Sequence, residues 1–325
     1  MTAEPYGFAG KRGIFIEMRR LATAFLLTVT VVVFASAAET KRIVFAAGPK
    51  DHGAPGRHEY EKDLAALKAC LDHSNITKIS TQLYSGKVPG IGELKGAAVL
   101  VMESSGDRTP SEHHILFPQD ATTDHQGYSP EMAGRLKDID ALVQKGMGVV
   151  VFHYATYVNN ATGRKYFTEW TGGFYESGAS RTVVADWSVA PADVKHPILR
   201  GVEPWTSREE FYINYRLSDN PRRTPLLIAT PTADTPMPSA PPAMIPLRAP
   251  LPPDPPNVPP SLVSWAVERP SGGRGFVMTG VDWHKNLSID SYRRELLNGI
   301  VWAAGIEVPA GGVQCRLPDD GGAKN

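Results

Sequence analysis

Two kinds of apolar pattern alternate along the chain. Arg42 to Ala47 (RIVFAA) is a short continuous apolar run, the signature of a strand covered on both faces. Glu59 to Asp72 (EYEKDLAALKACLD) comes next, with Tyr60, Leu64, Leu67 and Leu71 at helical spacing. Ile76 to Leu83 (ITKISTQL) alternates as a strand does, and Ala97 to Met102 (AAVLVM) is a second buried run. Ser129-Pro130 then opens a helix, serine as N-cap and proline in the first position. Its apolar stripe is Met132, Leu136, Ile139 and Val143, and Gly146 ends it. Met147 to Phe152 (MGVVVF) is a fourth strand. The order strand, helix, strand, strand, helix, strand predicts an α/β fold with a mostly parallel, doubly wound sheet.

The second half is richer in loops. Residues 180–190 and 208–217 read as strands or extended segments, as do Ser261 to Val267 and Gly275 to Thr279. A last helix is expected from Asp290 to Ala304, carrying Leu296, Leu297, Ile300 and Val301. Between them, residues 230–260 hold a dense run of prolines. Proline has no backbone donor, so this stretch reads as a Pro-rich surface insertion. No internal repeat is evident.

The N-terminus changes the domain picture. Arg19-Arg20 precedes the uncharged run Leu21 to Ala38, which closes on the small residues Ala35-Ser36-Ala37. That is the layout of a signal peptide over residues 1–38, with Met18 as a plausible start. The run of about 18 residues also leaves a single membrane anchor open. A domain over 39–312 and a tail over 313–325 complete the chain, in a periplasmic or secreted protein. Lys+Arg and Asp+Glu both number 34, and this balance gives no footprint for nucleic acid. Two cysteines, Cys70 and Cys315, either pair in an oxidising compartment or stay as one buried and one exposed thiol.

In open α/β sheets, ligands bind beyond the carboxyl ends of the strands. The residues just past each strand therefore point to the chemistry. After the first strand comes a loop with glycines and a proline, expected to be flexible, that carries His52, Arg57, His58 and Glu59. After the Ala97–Met102 strand come Glu103, Ser104, Ser105 and Asp107. His153 and Tyr154 lie after the next strand, and Asp282, Trp283 and His284 after Gly275–Thr279. Each has an ordinary reading: a solvated His52, a helix-capping His58, a core His153, a surface turn at His284. His113, His114 and His125 lie in a long polar segment, residues 103–129, expected to be exposed and lid-like. Glu209 and Glu210 are adjacent, so on a strand they face opposite sides and at most one enters a site.

Several motifs in order complete a pattern: Gly56-Arg57-His58-Glu59, His153, His196-Pro-Ile-x-x-Gly201, Glu209-Glu-Phe-Tyr212, Gly273-Arg-Gly-Phe to His284, and Leu297-Asn-Gly-Ile-Val-Trp-Ala-Ala-Gly305. Together they resemble the trehalose-utilisation, or ThuA-like, family over about residues 41–312. The resemblance implies a flavodoxin- or amidotransferase-like fold without amidotransferase chemistry, since His153-Tyr154 stands where a cysteine elbow would be. It also implies handling of disaccharides and oxidised sugar derivatives. The expectation is an exported enzyme acting on a sugar, disaccharide or keto-glycoside. His58, His153, His284 and Glu210 form its catalytic centre, and the imidazoles act as acid and base near pH 7. His52, Arg57, Tyr154, Tyr212, Asp282 and Trp283 are expected to bind substrate, with Trp170 as a further stacking ring. Alternatively His58, His153 and His284 bind a divalent metal such as zinc. Other readings are a non-catalytic carbohydrate-binding module and a serine hydrolase using Ser104 or Ser105, which lack the Gly-x-Ser-x-Gly elbow. A homo-oligomer is left open.

Overall fold

A continuous apolar run needs cover on both faces, and the first strand gets it. In a computed structural model, residues 39–108, 112, 114–116, 130–159, 161–232 and 258–317 are described. β1 (Lys41–Ala47) sends Ile43, Phe45 and Ala47 to one face of the sheet and Val44 and Ala46 to the other. The first face is covered by α1 (Tyr60–Asp72), which contributes Tyr60, Leu64, Leu67 and Leu71. β2 (Ile79–Ser85) and the one-turn α2 (Ile91–Leu94) lead into β3 (Ala97–Glu103). The opposite face is covered by α3 (Pro130–Gln144) and, after β4 (Gly148–Phe152), by α4 (Ala161–Thr171).

The second half builds a sheet extension. A short β5 (Gly173–Phe174) pairs with β8 (Arg216–Leu217) apart from the main sheet. β6 (Arg181–Pro191), β7 (Trp205–Ile213) and β9 (Arg223–Pro231) precede β10 (Ser261–Glu268) and β11 (Arg274–Met278). The nine-stranded sheet has the order β2-β1-β3-β4-β11-β10-β9-β6-β7. Its first five strands are parallel, in the doubly wound 2-1-3-4-5 order when β11 counts as fifth. The last four are antiparallel. α5 (Asp290–Ala303) returns to the α1 face and buries Leu296, Leu297, Ile300 and Val301.

The mostly parallel core is thus as expected, but α4 and β9 are additions. Only Phe167, Trp170, Thr171 and Gly163 of α4 are buried, a thin apolar stripe in a polar sequence. β9 carries Pro225 and Pro231, and proline normally argues against a strand. The ladder accommodates Pro225 opposite Trp265 beside a register shift. Residues 313–317, expected as tail, pack against the body. Val313 is buried, its N–H donates to Asn298 Oδ1 at 2.7 Å, and Cys315 is disulfide-bonded to Cys70.

Among the described residues no helix is long and apolar enough to cross a membrane. The expected signal segment 1–38, most of the Pro-rich insertion, most of the 103–129 segment with His113 and His125, Ser129, and the side chain of Met132 lie outside the described residues. His114 is described and is not exposed. It is 1% accessible, and its Nε2 lies 2.9 Å from the Ala155 carbonyl. Its ring packs against Phe167, so it serves as a core residue.

Candidate functional site

The carboxyl ends of β1, β3, β4 and β11 lie side by side in the sheet, so the segments after them share one rim. The loop after β1 is held firmly. Lys50 Nζ donates to the carbonyls of Ala54 (3.0 Å) and Arg57 (2.8 Å) and to Glu59 Oε1 (2.6 Å). The loop also forms a β-bridge to the segment after β11: His58 N–H donates to the Asp282 carbonyl, and His284 N–H to that of Gly56. This bridge is what brings residues 225 positions apart into contact.

His58 and His153 lie at the centre, their ring centroids 5.1 Å apart. Both are almost fully buried, and both hold a left-handed backbone, φ 51° and 46°. Val281, beside Asp282, has φ 86°. A branched side chain there is a genuine outlier, and such strain concentrates at functional sites. His153 Nδ1 donates to the Thr279 carbonyl at 3.0 Å, which leaves Nε2 as a buried nitrogen with no hydrogen-bond partner among the described residues. Asp282 receives Arg57 Nε on Oδ2 at 2.6 Å. Its Oδ1 sits 3.2 Å from His58 Nε2 but without hydrogen-bond geometry, so it too is unpartnered. His58 Nδ1 meets the Tyr60 hydroxyl at 3.1 Å.

A second tier surrounds this centre. Arg57 also pairs with Glu210 and lies over the Trp283 ring. His52 stacks near His58, centroids 4.2 Å apart, and its Nδ1 lies 2.7 Å from Asp51 Oδ1. Tyr154 and Tyr212 form a wall with Tyr157 and Tyr175, and Tyr212 lies 4.5 Å from the His153 ring. Tyr154 and Tyr212 are only 5% and 4% accessible, so their faces are spent on neighbouring rings rather than offered to a sugar. Glu209, as the strand geometry requires, faces away from Glu210 and accepts from Tyr292 and Asn286.

Three expectations are corrected. His284 does not join the central pair: its Nδ1 lies 2.5 Å from Asp63 Oδ1, against α1, and Asp282 takes the third place. Trp170 is fully buried and donates to Asp140, far from any substrate role. The imidazoles do not suit acid–base work near neutral pH. Burial, then neighbouring positive charge, drives His58 far below its ordinary value, and burial lowers His153 to about 3. Both are neutral lone-pair donors. Glu210 is raised to about 7 by burial and Asp282 against the pull of Arg57. Burial and Asp282 raise Glu209 to about 8, and burial raises Asp63 to about 6 despite His284. Glu103 is driven well up, first by burial and then by Asp63. Neither Glu103 oxygen has a hydrogen-bond partner among the described residues, and a contact between two buried carboxyls requires a proton on one of them.

Neither serine is set up as a nucleophile. Ser105 Oγ donates to Asp51 Oδ1 at 2.5 Å, and Ser104 Oγ donates to the Ser105 carbonyl. His196 packs on Trp302 and caps a turn, so its motif is structural. Tyr60 and Asp51 are site residues that the sequence pattern does not single out; a tyrosine opening an amphipathic helix looks like core. A cavity of about 420 Å³ lies elsewhere, between Ile213, Tyr215, Trp265 and residues 258–262. Its lining holds no imidazole or carboxylate.

Among solved structures, the fold is similar to a ThuA-like protein from Bacteroides uniformis ATCC 8492, with TM-score 0.51 and 13% identity over 82% of this chain and 93% of that one. A ThuA-like protein from Parabacteroides merdae ATCC 43184 gives 0.50 and 15%, over 86% and 98%. A cytoplasmic protein from Salmonella typhimurium LT2 gives 0.50 and 12%, over 81% and 99%. At these identities the likeness concerns the fold alone. No curated protein matches the chain. The family model described as ThuA, trehalose utilisation, matches residues 55–303, a span that holds Arg57, His58, His153, Glu210 and Asp282. The chain belongs to the ThuA (trehalose utilisation) family.

Proposed function

We propose that the chain is an exported enzyme that transforms a sugar, disaccharide or keto-glycoside at the His58–His153–Asp282 rim. The observation that carries this reading is a pair of buried lone-pair atoms without a hydrogen-bond partner among the described residues, His153 Nε2 and Asp282 Oδ1, facing the imidazole of His58 at the carboxyl edge of a parallel sheet. Unsatisfied buried polar atoms cost free energy and persist where function requires them. Glu210, poised near 7, is the group suited to take and return a proton, with Arg57 holding its carboxylate in place. The family description, trehalose utilisation, supports a carbohydrate as substrate. Arg19-Arg20, the apolar run after it and the Cys70–Cys315 disulfide support export, although one structural relative is described as cytoplasmic.

The test is incubation with a panel of disaccharides and keto-sugars, with products read by mass spectrometry. Turnover is expected for at least one member, and Glu210→Gln should lower kcat by about 10²–10⁴-fold with an unchanged melting temperature. Sugar binding by calorimetry without any product would make the protein a carbohydrate-binding module instead.

A further inference from the structure

We propose that His58 Nε2, His153 Nε2 and Asp282 Oδ1 form a binding site for one divalent transition-metal ion of the zinc type. The proposal stands beside the sugar chemistry above and does not depend on it. One ligand atom from each of the three residues lies within 4.8 Å of the other two, and all three residues are buried. Adjacent ligands of a tetrahedral zinc are about 3.4 Å apart. The His58–Asp282 edge, 3.2 Å, already has that length, and the wider edges need only modest closure.

The hydrogen-bond network sets which nitrogen of each ring is free. His153 Nδ1 faces a carbonyl, which only accepts, so Nδ1 carries the proton and Nε2 a lone pair. For His58 the direction is set from the far end of a chain. Ser105 Oγ donates to the Asp51 carboxylate, so it accepts from the Tyr60 hydroxyl at 3.2 Å. Tyr60, its proton so used, accepts from His58 Nδ1. The Nε2 of His58 is then also a bare lone pair. Asp282 Oδ1 is a third, because Arg57 occupies only Oδ2. Three lone pairs converge with no hydrogen between them. Such an arrangement is repulsive unless a cation sits at its centre.

The supporting contacts have the form that metal ligands need. Each imidazole is oriented through its other nitrogen by a carbonyl or hydroxyl, and the carboxylate by a guanidinium. Two imidazoles and one carboxylate suit zinc or ferrous iron, and leave at least one position for water or a substrate oxygen. His284 takes no part, since its ring is committed to Asp63.

The test is metal analysis of the purified full chain, followed by chelation and titration with Zn²⁺ and Co²⁺. About one ion per chain is expected, with an intense visible Co²⁺ spectrum that Zn²⁺ displaces. X-ray absorption of the Zn²⁺ form should show two imidazoles and a low-Z oxygen shell, a readout that needs no variant. His153→Asn, chosen because asparagine tolerates the left-handed backbone, and Asp282→Asn should each weaken Zn²⁺ binding by more than about 100-fold. His284→Ala should retain the ion. A chain that takes up neither ion, or variants that bind as tightly as the parent, would overturn the site. Turnover by fully chelated protein would leave the sugar reading standing and remove the metal from it. Stoichiometric metal with no turnover on any sugar would support the site and sink that reading.

Discussion

At the residue scale, burial decides what each ionisable group does. His58 and His153 were legible as strand-end imidazoles, but their neutrality was not, because it results from enclosure and not from position in the chain. The choice between Asp282 and His284 was equally hidden. They are two residues apart after the same strand, and the left-handed Val281 with the Arg57–Trp283 bridge decides which one turns inward. Glu295 shows the same rule away from the site. It is fully buried on α5 with Ser264 as its one hydrogen-bond partner among the described residues, and burial raises it from 4.5 to about 8. The folded protein therefore keeps a proton that the unfolded chain sheds above about 4.5. The associated stability is complete below that pH and is lost as pH rises to about 8. Glu295→Gln should gain on the parent across that window, by up to roughly 1.4 kcal/mol per pH unit. Urea midpoints at both ends of the window measure this, and a difference that does not change with pH would refute it.

At the scale of elements, close approach explains one of the motifs that carry the family resemblance. In Leu297-Asn298-Gly299, Asn298 is buried and donates to the carbonyls of Ile198 and Arg200, tying the His196-Pro-Ile turn to α5. Gly299 lets α5 rest on β11: an added Cβ would lie 2.1 Å from Phe276 Cε1. Gly299→Ala should cost about 1–3 kcal/mol through overpacking. Gly134, exposed within α3, has nothing within 4 Å of such a Cβ, so Gly134→Ala should add about 0.5–1 kcal/mol. Thermal denaturation of the two variants should move in opposite directions; the same sign in both would contradict the packing described. Helix and strand assignments were readable where apolar runs were continuous or periodic. They failed at α4, whose stripe is thin, and at β9, whose prolines disfavour a strand.

For the whole molecule, the distinctive feature is a cross-link between α1 and the C-terminal segment. Cys70 and Cys315 are separated by 245 positions, their Cα atoms 5.3 Å apart. Closing so long a loop restricts the unfolded chain, with a ceiling of about 5 kcal/mol in the chain-entropy view. Replacing both cysteines by serine, or adding reductant, should lower the melting temperature by several degrees and abolish the mobility difference between reduced and non-reduced gels. No difference between the oxidised and reduced forms would show the thiols to be free. Sequence alone left both options open, because pairing depends on where the last residues of the chain return.

The chain by itself determined the class of fold and the rim at which its strand-end imidazoles and carboxylates gather. Continuous apolar runs must be covered on both faces, and parallel strands that meet this need deliver the residues beyond them to a single edge. Tertiary structure alone decided which atoms face one another there. It set the antiparallel extension, the burial of His114, the exclusion of His284 and the convergence of His58, His153 and Asp282. Side-chain direction past a strand end depends on local backbone turns and on bridges between distant loops, and residue spacing carries neither.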